Sequence, residues 1–220
     1  MCNIAVSKIG SKQPTIDQLH TMFVNNPHGA GYMYARNGRV NLHKGFMDWK
    51  DFERAVKAEK FTENDAVVYH FRISTQAGIC PTMTHPFPLT SRLEMCEKFD
   101  LKCDIGIAHN GIVRMTSDSK EKRFSDTALF ITEYMTKLIR NRDDLSDWAI
   151  LDMIDHLTNS KWALMDKFGN IATVGNFVKD GGILFSNSTY KPYPKTTIKP
   201  PKNFSWDDYE LGYYGITCRA

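Results

Sequence analysis

Ala66–Ser74, AVVYHFRIS, is the stretch on which the fold turns. Its β-branched and aromatic residues predict a long strand, and it carries Arg72 inside an otherwise apolar run. A second such strand, Asp104–His109 (DIGIAH), ends at Asn110-Gly111. Between them, Gly78–Leu89 contains Pro81, Pro86 and Pro88 and is expected to be loop. Working toward the amino end, Gly31–Ala35 and Val40–His43 form a predicted hairpin around Asn37-Gly38, a pair that tolerates positive φ. Asn3–Lys8 is a further strand. Thr15 caps a predicted helix to Val24, with Ile16, Leu19, Met22 and Phe23 on one face. Asp48 caps another to Glu59. Toward the carboxyl end, helices are expected from Ser125 to Ile139 and from Ser146 to Leu157. Lys161–Asp166 and Ile171–Val174 form a second hairpin, and Gly182–Ser186 a last strand. This order of strands, helices, strands, helices, strands predicts an α+β domain with two sheets and helices packed outside them.

The chain has 220 residues, 42% of them hydrophobic and 24% charged, which suits a globular protein able to bury its own core. A net charge of +3 argues for neither a nucleic-acid nor a membrane partner. No leader-like start and no run of about 18 apolar residues is present. The five cysteines, Cys2, Cys80, Cys96, Cys103 and Cys218, are odd in number and none has CxxC spacing. A disulfide framework and a structural zinc site are therefore not expected, and a reducing, cytoplasmic setting is. In that setting the glycosylation-type triplet Asn187-Ser188-Thr189 is chance. The domain is expected over residues 1–189. Residues 190–220 form a carboxyl-terminal extension, rich in proline and lysine up to 203, that reads as an extended solvated strip or as a docking strip for a partner. Trp206, Tyr209, Tyr213 and Tyr214 are expected to pack back on the domain.

Five segments carry chemistry. Removal of Met1 would make Cys2 the amino terminus, with a thiol and an α-amino group on one residue. That amine titrates at roughly 7.7–8.0 and can activate its own nucleophile. HFRIST, His70–Thr75, presents Arg72, which a buried strand tolerates only against an anion. Thr84-His85-Pro86-Phe87 is a rigid loop. His109-Asn110-Gly111 offers an amide and a backbone N–H side by side, as an oxyanion hole needs, although Asn-Gly alone is equally a turn. Ser125-Asp126-Thr127 places a carboxylate in a first helical turn, where the helix dipole alone would favour it.

Taken in order, MCNI, HFRIST, HPF, HNG and SDT resemble the glutaminase domain of class II glutamine amidotransferases, within the N-terminal nucleophile (Ntn) hydrolases. The likeness runs from Met1 to about Thr136 and includes NNPHGAGYMYARNGRVNLHKG. It implies a four-layer α-β-β-α sandwich of two mostly antiparallel sheets. It also implies that Cys2 is the nucleophile and that Asn110 and Gly111 form the oxyanion hole. Arg72 would bind the α-carboxylate of L-glutamine and Asp126 its α-ammonium, with Thr75 and His85 on the substrate side. No metal or organic cofactor is implied. Asn3 departs from the family's usual glycine, Ile73 from its tyrosine, and Ala128 stands where a glutamate is usual. Without a GxxxxGK[ST] or GxGxxG loop, the expected protein is a glutaminase that passes ammonia to a separate synthase. Two alternatives are a hydrolase of another γ-glutamyl amide and a non-catalytic binding module. A cysteine–histidine mechanism through His70, His85 or His109 is the remaining variant.

Overall fold

The computed structural model describes residues 2–74, 78–114 and 123–192. The chain begins with β1 (Asn3–Ser7), α1 (Ile16–Asn25), β2 (Ala30–Arg36), β3 (Arg39–Phe46), α2 (Trp49–Glu59) and β4 (Val67–Phe71). A 3-10 turn at Pro81–Met83 leads to β5 (Phe87–Pro88), α3 (Leu93–Cys96), β6 (Asp100–Cys103) and β7 (Ile105–Asn110). Then come α4 (Asp126–Phe130), a π-turn at Ile131–Met135 and α5 (Thr136–Leu138). A second 3-10 turn, Arg142–Leu145, precedes α6 (Trp148–Thr158), β8 (Lys161–Asp166), β9 (Ile171–Val174), β10 (Val178–Asp180) and β11 (Ile183–Phe185).

The strands form two antiparallel sheets, so the architecture is α+β. One runs β10-β11-β1-β4-β2-β3-β6, the other β5-β7-β8-β9. An apolar cluster joins them: Ile4, Met33, Leu42 and Val68 of the first meet Ala108, Ala163 and Met165 of the second. A second cluster packs α1 and α2 on the larger sheet through Leu19, Met22, Phe52 and Tyr69. A third packs α4 and α6 on the smaller one through Phe130, Ile154, Trp162 and Leu164.

Local chemistry explains most boundaries. Thr15 and Gln18 close a reciprocal capping box at α1. Asp48 accepts from the Lys50 N–H, and Ser125 from the Ala128 N–H. Asn37 and Gly38 both take positive φ, 55° and 69°, which lets β2 turn directly into β3. Gly31 must be glycine, because a β-carbon there would collide with the carbonyl oxygens of His85 and His43.

Several boundaries differ from expectation. β4 stops at Phe71; beyond it the Arg72 N–H bonds the Gly29 carbonyl and the Arg72 carbonyl accepts from the His28 N–H, outside the strand itself. The helix expected from Ser146 begins at Trp148, since Asp147 makes the cap, to the Ala149 N–H. The helix expected over Ser125–Ile139 contains the π-turn. Phe87–Pro88 adds a short strand within the predicted loop. β6 and β10 carry too little apolar pattern to have been anticipated. Cys80 is disulfide-bonded, against the expectation of a chain without a disulfide framework in a reducing setting; Cys2, Cys96 and Cys103 are free. Tyr190 packs on the domain, stacked on Phe185 at 3.7 Å. Thr75, the rest of the proline- and lysine-rich strip and the four aromatic residues after it lie outside the described residues.

Candidate active site

Strand register assembles the centre of the site. β1 and β4 are antiparallel, with Asn3 opposite Phe71, so the residues one step further along are Cys2 and Arg72. Cys2 Sγ lies 3.4 Å from the Ile73 N–H, which donates to it. β7 brings in Asn110 and Gly111 from the other sheet, and α4 presents Asp126 from its first turn.

Cys2, Arg72, His85, Gly111 and Asp126 line one small cavity, together with Ile73, His109, Ser125 and Thr127. Its volume is about 20 Å³, so an amino-acid-sized ligand enters only if the walls open. A larger cavity of about 460 Å³ adjoins it and shares Cys2, Ile73 and Gly111. Asn110, Ile112, Arg114, Leu157 and Thr158 to Ser160 complete its lining. Six of the seven predicted site residues therefore line one or other cavity, and Thr75 is the seventh.

Burial raises the Cys2 thiol above its ordinary range, against the opposing pull of the Ile73 N–H and the Arg72 charge. The resting thiol is protonated at neutral pH and needs a base to attack. Asp126 is only 6% exposed, and burial raises its carboxyl. Hydrogen bonds from the Val113 N–H (2.7 Å) and Thr127 N–H (2.8 Å), with the Arg72 charge, pull it back. Arg72, 4% exposed, donates to the Gly78 carbonyl at 2.9 Å. The cavity thus holds a cation and a carboxylate together with the thiol, a set that matches a zwitterion.

Two buried histidines, His85 and His109, line this cavity, and His70 is buried behind His85. His70 and His85 stack with centroids 4.1 Å apart, and His109 lies 3.9 Å from the Trp162 ring. His70 Nε2 donates to the His109 carbonyl at 2.9 Å, and His109 Nδ1 meets Thr127 Oγ1 at 2.8 Å. Desolvation holds His70 and His109 down to about 3 and His85 well below its ordinary value, so all three are neutral. Neither ring nitrogen of His85 has a partner among the described residues, nor do His70 Nδ1 and His109 Nε2. No histidine hydrogen-bonds Cys2; its thiol contacts are the backbone atoms of Ile73.

A polar network that the sequence did not signal fixes the nucleophile from behind. Asn187 Nδ2 donates to the Cys2 carbonyl at 2.7 Å. Ser186 Oγ accepts from the Ile4 N–H and from Asn110 Nδ2, both at 2.9 Å. Asn3 turns its amide toward Thr189 (2.7 Å), away from both cavities, so it does not narrow the site as a side chain near the nucleophile could have done. Asn187 and Thr189 of the glycosylation-type triplet are thus hydrogen-bonded into this network. No group of three metal-ligating side chains occurs among the described residues.

No family model matches this chain, and no curated protein matches it significantly. No helix among the described residues is long and apolar enough to cross a membrane.

Proposed function

We propose that the protein is a glutaminase of the class II amidotransferase type, built as a four-layer Ntn sandwich, with Cys2 as its nucleophile once Met1 is removed. The observation that carries this reading is the cavity that combines the Cys2 thiol with Arg72 and Asp126, both buried. Arg72 takes the α-carboxylate of L-glutamine and Asp126 its α-ammonium, which directs the side-chain amide toward Cys2. The α-amine of Cys2 takes the thiol proton, and Sγ bonds to the amide carbon. Asn110 Nδ2 and the Gly111 N–H stabilise the oxyanion. The C–N bond then breaks, and ammonia leaves with the proton that the amine returns. Water, deprotonated by the same amine, cleaves the γ-glutamyl thioester to glutamate and regenerates the thiol. Three neutral histidines and the absence of a histidine bond to Cys2 favour the amine over an imidazole as base.

A second reading has one observation in its favour. The cavity of about 460 Å³ lies beyond Cys2 from Arg72 and Asp126, where the leaving amine departs. Ammonia needs no such room, whereas a larger γ-glutamyl amide does. In the first reading this cavity is the exit toward an ammonia-accepting synthase.

Intact mass before and after exposure to a diazo-ketone analogue of glutamine tests the proposal. Loss of Met1 and one adduct on Cys2 are expected, with glutamate released from L-glutamine. Met1 retained, with no adduct and no glutamate, would sink it and favour a binding module. Met1 lost, with turnover of larger γ-glutamyl amides only, would establish the second reading.

A further inference from the structure

The largest cavity described lies elsewhere, and its charge is out of proportion to the rest of the molecule. Its volume is about 510 Å³, within the size range of small-molecule sites. Arg39 of β3, Lys102 of β6, Arg140 and Arg142 after α5, and Lys167 of the β8–β9 turn all line it, against the single carboxylate of Asp104. The lining therefore carries a net charge of +4, while the whole chain carries only +3. Four segments distant in sequence bring these five cations to one concavity. The rest of the chain sums to a net charge of −1, so the excess positive charge is concentrated in this lining.

Asp104 compensates only part of this charge. It accepts from Arg39 at 2.7 Å and lies 3.9 Å from Lys167. Arg142 stacks over the Phe168 ring at 4.8 Å and has Asp143 at 3.5 Å. No ion pair involves Lys102 or Arg140 among the described residues, and both are exposed. Leu89, Met95, Leu101 and Ile105 supply an apolar wall to the same cavity. Cations around an apolar wall suit a ligand with several negative charges on an apolar or planar body.

We propose that this cavity binds a phosphorylated small molecule of the nucleoside polyphosphate type. Its phosphates meet Lys102, Arg140 and Arg142, and its base or hydrocarbon portion lies on Leu101 and Ile105. Arginine forks and a lysine ammonium are the groups that bind phosphate oxygens best, and the arginines here come from β3 and from the stretch after α5. Neither Cys2 nor any residue of the site around it lines this cavity. It is a second site, and it does not depend on the reading of the first.

Calorimetric titration of the full-length protein with ATP, inorganic tripolyphosphate and adenosine at low and at physiological salt tests it. ATP is expected to bind most tightly, tripolyphosphate more weakly, and adenosine not measurably. The double variant Lys102→Ala/Arg140→Ala, both exposed positions, is expected to weaken ATP binding roughly tenfold or more. Its adduct formation at Cys2 should match that of the parent protein. Absence of heat with either phosphate compound at millimolar concentration would overturn the proposal. So would ATP binding that the double variant leaves unchanged. Tighter binding of single-stranded RNA or of an acidic peptide to the same residues would also overturn it, by replacing the small molecule with a macromolecule.

Discussion

A β-carbon on Gly111 would collide with Ser160 Oγ and come within 3.0 Å of His109 Nε2. Gly111→Ala therefore has to shift the backbone beside Cys2. On the proposed mechanism this misplaces an oxyanion donor, and kcat for glutamine should fall roughly 100-fold or more, read from steady-state kinetics. An unchanged kcat would remove Gly111 from the machinery. Arg72→Lys keeps the charge but loses the planar fork. KM for glutamine is expected to rise about tenfold or more, with a smaller change in kcat. The six described positions, which line the two adjoining cavities, were legible through the order of their motifs; singly, an Asn-Gly is also a turn and an aspartate in a first helical turn is ordinary. Ser186, Asn187 and Thr189 were not. The Asn187 bond to the Cys2 carbonyl spans 185 positions, and no local pattern marks a partner so distant.

Among the elements, β3 does more than pair with its neighbours. It carries Lys44, only 5% exposed, whose ammonium meets the carbonyls of Thr82 (2.7 Å) and Cys96 and lies 4.1 Å from the centre of the Phe87 ring. One side chain thus ties the Pro81–Met83 turn, α3 and β5 to the larger sheet, and with them the loop that holds His85. Desolvation lowers Lys44 to about 7, below the roughly 10.4 of an unfolded lysine. A lowered folded value means stability that is full above pH 10.4 and is lost as pH falls toward 7. The unfolding free energy should therefore rise between pH 7 and 10, by at most about 1.4 kcal/mol per unit from this residue. Lys44→Met should flatten that rise and leave two carbonyls without a donor, at a cost of about 1–3 kcal/mol at pH 10. Denaturant melts of both proteins across this range decide it. Secondary structure itself was legible wherever side chains made it: the Thr15 box, the Asp48 cap and the Asn37-Gly38 turn. β6 escaped because its stability comes from pairing with β3 (Leu101 opposite Leu42), not from its own alternation.

At the scale of the whole molecule, three neutral histidines lie together at the site. Each is fully or nearly buried, and two titrate near 3 against roughly 6.5 when unfolded. Their contribution to stability is complete above pH 6.5 and is lost as pH falls from there toward 3. His70 and His109 should each lower the unfolding free energy by at most about 1.4 kcal/mol per pH unit in that window, with His85 acting in the same direction, so the protein is expected to unfold sharply in mild acid. Equilibrium unfolding at pH 7.5, 6.5 and 5.5 measures this, and equal midpoints at all three would show that the histidines remain hydrated or paired.

β1 lies between β4 and β11, with Ala5 opposite both Tyr69 and Phe185. β1 is thus closed in by a strand made about 180 residues later. An aminopeptidase needs a loose chain end, so trimming of the initiator residue has its best opportunity while residues 183–187 are still unmade. On the proposed mechanism, exposure of the cysteine is then decided during translation, and a fusion placed ahead of Met1 outlasts that interval and leaves a folded but silent product.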